Sequence, residues 1–227
     1  MKILAIDSAT AACSAAVWSG DGIAAHRFET MARGHAVHLM PMVRDVMAES
    51  GLDFPDLDFI ATTTGPGGFT GLRIGLAAAR ALAMAAKLPI VGYSTLETVA
   101  RSPRRDANRR PVLVVLDAKR TDFYFQLFKP DGAAMGPPET AAPDLIAAAV
   151  TPQNPVIICG DGADAVFETI NAYGVQHERS KGPDVPDAAI LAQIAHSDVG
   201  SDMKFQFKSR PPEPVYLRAP DAALPRR

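Results

Sequence analysis

The stretch KILAIDSATAACSAAVWSGDGIAAHRFE, residues 2–29, holds three apolar runs separated by short turns. Lys2 to Ile6 reads as a buried strand, Ala12 to Trp18 as a second, and Gly22 to Glu29, after the SGDG turn, as a third. Turns this short join antiparallel neighbours, so the chain opens on a meander. The same opening recurs further on: VLVVLD (Val112 to Asp117), a short turn, then TDFYFQLF (Thr121 to Phe128). Each half thus begins with an apolar strand that ends in an aspartate, Asp7 or Asp117. Two related folds in tandem are expected, the second with fewer strands.

Between the two openings, His35 to Glu49 places Leu39, Met42, Val43, Val46 and Met47 at helical spacing. Pro41 falls inside and should kink that helix or close a short first segment. Leu57 to Thr64 reads as a strand running into the glycine-rich TTTGPGGFTGLRIG, Thr62 to Gly75. Phe69 to Ala86 follows as a helix, Pro89 to Tyr93 as a strand and Ser94 to Ala100 as a short helix. The order βββαβαβα predicts a mixed sheet with helices packed on it. RSPRRDANRRP, Arg101 to Pro111, is a basic, proline-flanked connector, read either as a solvated loop or as an RNA contact through its arginines. It divides the chain into an expected N-terminal lobe, 1–103, and a smaller C-terminal lobe, 104–227. In the second, Thr140 to Val150 and Gly162 to Ala172 read as helices around the strand PVIICG, and Asp187 to His196 as another helix.

Composition narrows the class. Of 227 residues, 48% are apolar and the net charge is −2, which is globular and supplies no positive field to gather nucleic acid. Cys13 and Cys159 are far apart in apolar surroundings and are expected to be buried, reduced thiols of a cytoplasmic protein. The opening MKILAIDSAT meets Asp7 too early for a signal peptide. The apolar run GLAAARALAMAAKLPIVGY is interrupted by Arg80 and Lys87, against a membrane span.

The glycine loop invites a phosphate, but the spacing rejects both common fingerprints. Thr70 stands five residues after Gly65 and no Gly-Lys pair follows, so this is not a P-loop. Thr70 also occupies the place of the third glycine of a dinucleotide motif. What survives is a loop running into a helix N-terminus, suited to an anion or carboxylate, or simply a tight strand-to-helix turn. Gly71, Gly75, Ala78, Ala79, Leu82 and Ala86 form a stripe of small and apolar residues that lets another element approach closely, within the fold or between chains. His35 and His38 are three apart with no carboxylate between them, unlike a zinc-protease helix; they read as metal ligands or as surface or interface histidines. Asp7 and Asp117 either face a cleft or form turns, and Gly160-Asp161-Gly162 either approaches an adenosine or caps a helix. No nucleophile elbow is present.

Taken in order, ILAIDSATAACSAAV, RGHAVHLMPMV, GPGGFTGLRIGLAAARALA, IVGYSTLETVA, VLDAKRTDFYF, CGDGA and PVYLR resemble the TsaB (YeaZ-type) family, subunits of the bacterial machinery that makes threonylcarbamoyladenosine in tRNA. The resemblance implies an α/β, two-lobed actin/sugar-kinase/Hsp70-like (ribonuclease H-like) fold with mixed sheets and a reduced second lobe. It implies a non-catalytic role: the related TsaD carries two metal-binding histidines in a segment like N-H-M-E-G-H, and here Thr95 and Val99 stand in their places. Neither side chain replaces imidazole, so no metal is expected. It further implies a partner-binding face of His35, His38, Leu39, Met42, Val43, Val46, Phe69, Thr70, Leu72, Arg73, Gly75, Leu76 and Ala79, with Met40, Met42 and Met47 as an adaptable apolar surface. The implied partners are TsaD, a second copy of the chain, the companion ATPase TsaE, and tRNA through the complex. Asp7, Ser8, Asp117, Gly160, Asp161 and Gly162 are the candidates for a vestigial nucleotide cleft, and no cofactor is expected beyond weak ATP or ADP binding. Gly68 departs from the family, where serine is usual. The competing readings are an ATP-binding phosphotransferase of the same superfamily and a metallopeptidase built on His35 and His38.

Overall fold

A computed structural model describes residues 1–102, 110–150, 155–201 and 211–217. The connector reading therefore falls largely on residues outside the described ones. The first strands form as the apolar runs require: β1 (Lys2–Thr10), β2 (Ala12–Ser19) and β3 (Gly22–Thr30) pair antiparallel in sequence order. Helix α1 (His35–Ser50) leads to β4 (Phe59–Thr63), which pairs parallel to β1. After α2 (Phe69–Ala86), β5 (Ile90–Tyr93) pairs parallel to β4, completing a sheet in the order β3-β2-β1-β4-β5. Helix α1 runs unbroken through Pro41, which lies on its exposed face. The proline therefore does not close a short first segment.

The second lobe repeats this arrangement. Strands β6 (Val112–Asp117), β7 (Phe123–Phe128) and β8 (Glu139–Ala141) are antiparallel, and β9 (Val156–Cys159) and β10 (His177–Arg179) add in parallel on the other side of β6. The order β10-β9-β6-β7-β8 mirrors that of the first sheet, so the expectation of fewer strands fails. The reduction lies in length: β8 and β10 have three residues each, too short and too polar to show an alternating pattern. Thr140, expected in a helix, belongs to β8; α4 (Pro143–Ala149) starts later because the residue before Pro143 is driven to an extended conformation.

The core explains one further departure. Leu4, Ile6, Val17 and Ile60 on one face of the first sheet are covered by α1 and α2. Ile3, Ala5, Trp18 and Phe59 line the other face. Helix α3 (Thr95–Arg101) does not cover them, because its Leu96 and Val99 pack on Val112, Val114 and Leu116 of the second sheet. The chain therefore returns: α6 (Ala188–Ser201) lays Ala188, Leu191 and Ala195 over that face. Helix α6 thus packs on the first sheet although it follows the second in the chain. Helix α5 (Ala163–Ala172) and α4 fill the outer face of the second sheet. Both cysteines are buried, and burial pushes each thiol up to about 12, so neither is a ready thiolate.

Candidate interaction site

Helix α2 decides what the site is. A Cβ added at Gly71 would lie 2.2 Å from the Ser8 carbonyl oxygen, one at Gly67 2.2 Å from that of Ala9, and one at Gly75 2.8 Å from Ser8 Oγ. The glycines thus admit the backbone of β1, not a partner helix. Gly68 N–H donates to the Ala9 carbonyl at 2.7 Å and Ser8 Oγ to the Gly71 carbonyl at 2.8 Å, sealing the end of β1 under the glycine loop. At Gly68 an added Cβ finds ordinary contact, so the glycine there is not enforced by packing.

This geometry divides the implied partner face. Leu39, Met42, Val43, Val46, Leu72, Gly75, Leu76 and Ala79 are buried within the lobe and present nothing to a partner; the apolar spacing that suggested an interface is the core-facing stripe of both helices. His38, Phe69, Thr70 and Arg73 are exposed, and His35 is half-buried. The structure adds residues that the sequence reading passed over or left open: Val37 (73% exposed), Met40, Ala77, Ala81 and Met84 (79% exposed). They follow helical spacing, 37-40 and 77-81-84, on the faces opposite the core. Both helices thus leave exposed apolar side chains on their outer faces.

The histidines do not converge. His35 Nε2 lies 2.9 Å from the Thr10 carbonyl, and His38 Nδ1 lies 3.1 Å from Glu29 Oε2 on the edge strand. Among the described residues no group of three or more His, Cys, Asp or Glu side chains is placed to hold a metal.

The nucleotide candidates also separate. A cleft of about 710 Å³ lies between the lobes, lined by Thr10, Arg33, His35, Gly68, Asp117, Lys119 and Asp161 among others. Asp117 and Asp161 do meet there: the Asp117 N–H donates to Asp161 Oδ1 at 2.8 Å, and Lys119 Nζ donates to Asp117 Oδ2 at 2.9 Å. Gly160 and Gly162 instead serve close packing against Val115 and Phe123. Asp7 and Ser8 are fully buried and do not line the cleft, because α2 closes over them. Asp7 Oδ1 accepts from Thr63 Oγ1 at 2.5 Å and from the Ala9 N–H, while Oδ2 has no hydrogen-bond partner among the described residues. Burial pushes its carboxyl up to about 7; the two donors pull the other way and the Asp187 charge adds to the rise.

A raised carboxyl holds its proton in the folded state where the unfolded chain has lost it. Its contribution to stability is therefore present at low pH and lost as pH climbs from about 4 through about 7. Asp7→Asn is expected to remove roughly 2–4 kcal/mol of that pH dependence. Urea denaturation at pH 5 and pH 8 would show the wild type losing ground relative to the variant at the higher pH. Parallel curves would show that Asp7 titrates normally.

Two five-stranded mixed sheets of matching order, with helices on their faces and a cleft between them, define a two-lobed protein of the actin, sugar-kinase and Hsp70 class. The profile of the TsaD family, described as tRNA N6-adenosine threonylcarbamoyltransferase, matches residues 27–174, well over half of the chain. The chain belongs to this family, on its TsaB (YeaZ-type) branch. It is 42% identical over 131 residues to the tRNA threonylcarbamoyladenosine biosynthesis protein TsaB of Escherichia coli, covering 58% of this chain and 56% of that one. The chain thus matches only about half the length of such TsaB relatives. An uncharacterised protein of Mycobacterium tuberculosis is 31% identical over 222 residues, 97% of this chain and 93% of the relative. YeaZ from Pseudomonas aeruginosa superposes with a TM-score of 0.80 at 27% identity, over 95% of this chain and 99% of the solved one.

Proposed function

We propose that this chain is a non-catalytic subunit that binds and stabilises a TsaD-family enzyme in the cytoplasmic machinery that adds threonylcarbamoyl to N6 of the adenosine next to the anticodon of tRNAs. The observation that carries this reading is the apolar surface left on α1 and α2 once their inner faces are used up by the core. Val37, Met40 and Met84 are exposed while the inner faces of the same helices are buried, and exposed apolar surface of this kind marks interaction sites. The same surface suits a second copy of the chain, so homodimer and heteromer compete for it. Contact with TsaE and tRNA comes through the complex.

The lack of catalysis is supported where the family's metal ligands would stand. Thr95 and Val99 are fully buried, Val99 among Leu96, Val114 and Leu116, leaving neither a ligand nor room for one. The names carried by the relatives supply the pathway. The test is reconstitution: a purified TsaD-family enzyme with its other components is assayed on tRNA with and without this chain. Modification should rise at least ten-fold on addition, and the chain alone should transfer nothing. Full activity without it would remove the helper role.

A further inference from the structure

Residues 211–217 cross over the start of α2. The Val215 N–H donates to the Thr64 carbonyl at 2.7 Å, and the Arg80 guanidinium donates to the Pro212 carbonyl. At the end of this strap, the Tyr216 hydroxyl accepts from Arg73 Nε at 2.9 Å. The Arg73 guanidinium carbon sits 3.5 Å from the centroid of the Phe69 ring, and the Phe69 and Tyr216 rings are 5.7 Å apart. Arg73 is thus held by stacking on one aromatic ring and by a hydrogen bond to the other.

Among the described residues no carboxylate pairs with it. Several other arginines find one: Arg27 with Glu49, Arg101 with Asp198, Arg179 with Asp184. Nε is engaged, but the two terminal nitrogens, with four of the five donors, lie on an exposed side chain. Such a fork matches a carboxylate with two parallel hydrogen bonds. Because stacking and Tyr216 already fix it, little rotamer freedom is lost on binding. Phe69 and Tyr216 are exposed apolar rings that flank it, and the exposed Val215 precedes Tyr216 on the strap, giving it an apolar rim.

We propose that Arg73, braced by Phe69 and by Tyr216 of the strap, is a preformed receptor for an aspartate or glutamate side chain of the protein partner. This rests on the reading of the chain as a TsaD-binding subunit and assigns that interface a charged anchor beside the apolar surface. An arginine flanked by aromatic side chains is the composition of an interface hot spot. An RNA phosphate would use the same fork, but the apolar rim and the net charge of −2 favour protein.

The test is calorimetric titration of the TsaD-family protein with the full chain and with Arg73→Ala, Arg73→Lys and Tyr216→Phe, each checked for an unchanged melting temperature. Arg73→Ala should weaken binding about thirty-fold. Arg73→Lys, which keeps the charge but not the planar fork, should weaken it about ten-fold. Tyr216→Phe should weaken it about three-fold in the wild type and have no effect in the Arg73→Ala background. Wild-type binding that Arg73→Ala leaves intact overturns the receptor alone. A loss confined to tRNA binding by the assembled complex overturns it in favour of a phosphate site. Absence of wild-type binding overturns the subunit reading, and the receptor with it.

Discussion

Replacing Gly71 by leucine is expected to lower the thermal midpoint by roughly 10 °C or more, while Ala77→Leu on the same helix leaves it within about 2 °C. The two sites differ in what a side chain meets. At Gly71 even a Cβ lies 2.2 Å from a backbone carbonyl of β1, and backbone cannot move aside as a flexible side chain can. Accommodating it would require α2 to lift from the sheet. That breaks the Ser8 Oγ bond to the Gly71 carbonyl and opens the layer where Leu72, Leu76 and Ala79 are buried. Overpacking of this kind costs about 3 kcal/mol or more when backbone must shift. Ala77 lies on the exposed face. Differential scanning calorimetry of the two variants gives the comparison, and equal midpoints would mean that α2 does not pack on β1 as described.

The second large effect concerns association. A Val37→Glu, Met84→Glu double variant should bind a TsaD-family partner at least about a hundred-fold more weakly, with helix content and melting temperature unchanged. Both side chains are largely exposed, so their replacement removes nothing from the core, whereas two carboxylates on an apolar contact must be desolvated without partners. Met135→Glu, exposed on the second lobe, is the control and should bind as the wild type does. Sedimentation velocity on the mixtures separates the outcomes. If the double variant and the control bind alike, the docking face lies elsewhere.

Much of the fold was legible because it rests on local patterns. The apolar runs of β1, β2 and β6 and the periodicity of α1 and α2 are signals that neighbouring residues carry. The edge strands β8 and β10 were missed because three mostly polar residues show no period. The return of α6 to the first sheet was missed because it answers a vacancy left by α3, which no local pattern encodes. Most instructive is the candidate face on α1 and α2. Helical spacing marked Leu39, Met42, Val46 and Ala79 correctly as one side of their helices, but periodicity does not say whether that side faces a core or a partner. The side that remains, Val37, Ala77 and Met84, is the complement of the pattern. Tyr216 and Arg73 are separated by 143 positions, and only the fold joins them.

The central claim, that the outer faces of α1 and α2 bind the partner while the inner faces hold the lobe, can be read from the methionines. Met40 and Met84 are exposed on the proposed surface, Met42 and Met47 are buried beneath it, and Met135 is exposed on the other lobe. With labelled methionine methyl groups, titration with the TsaD-family protein should shift or broaden the Met40 and Met84 resonances first and most strongly, leaving Met135 unchanged. A response at Met135 with Met40 and Met84 unmoved would contradict the account.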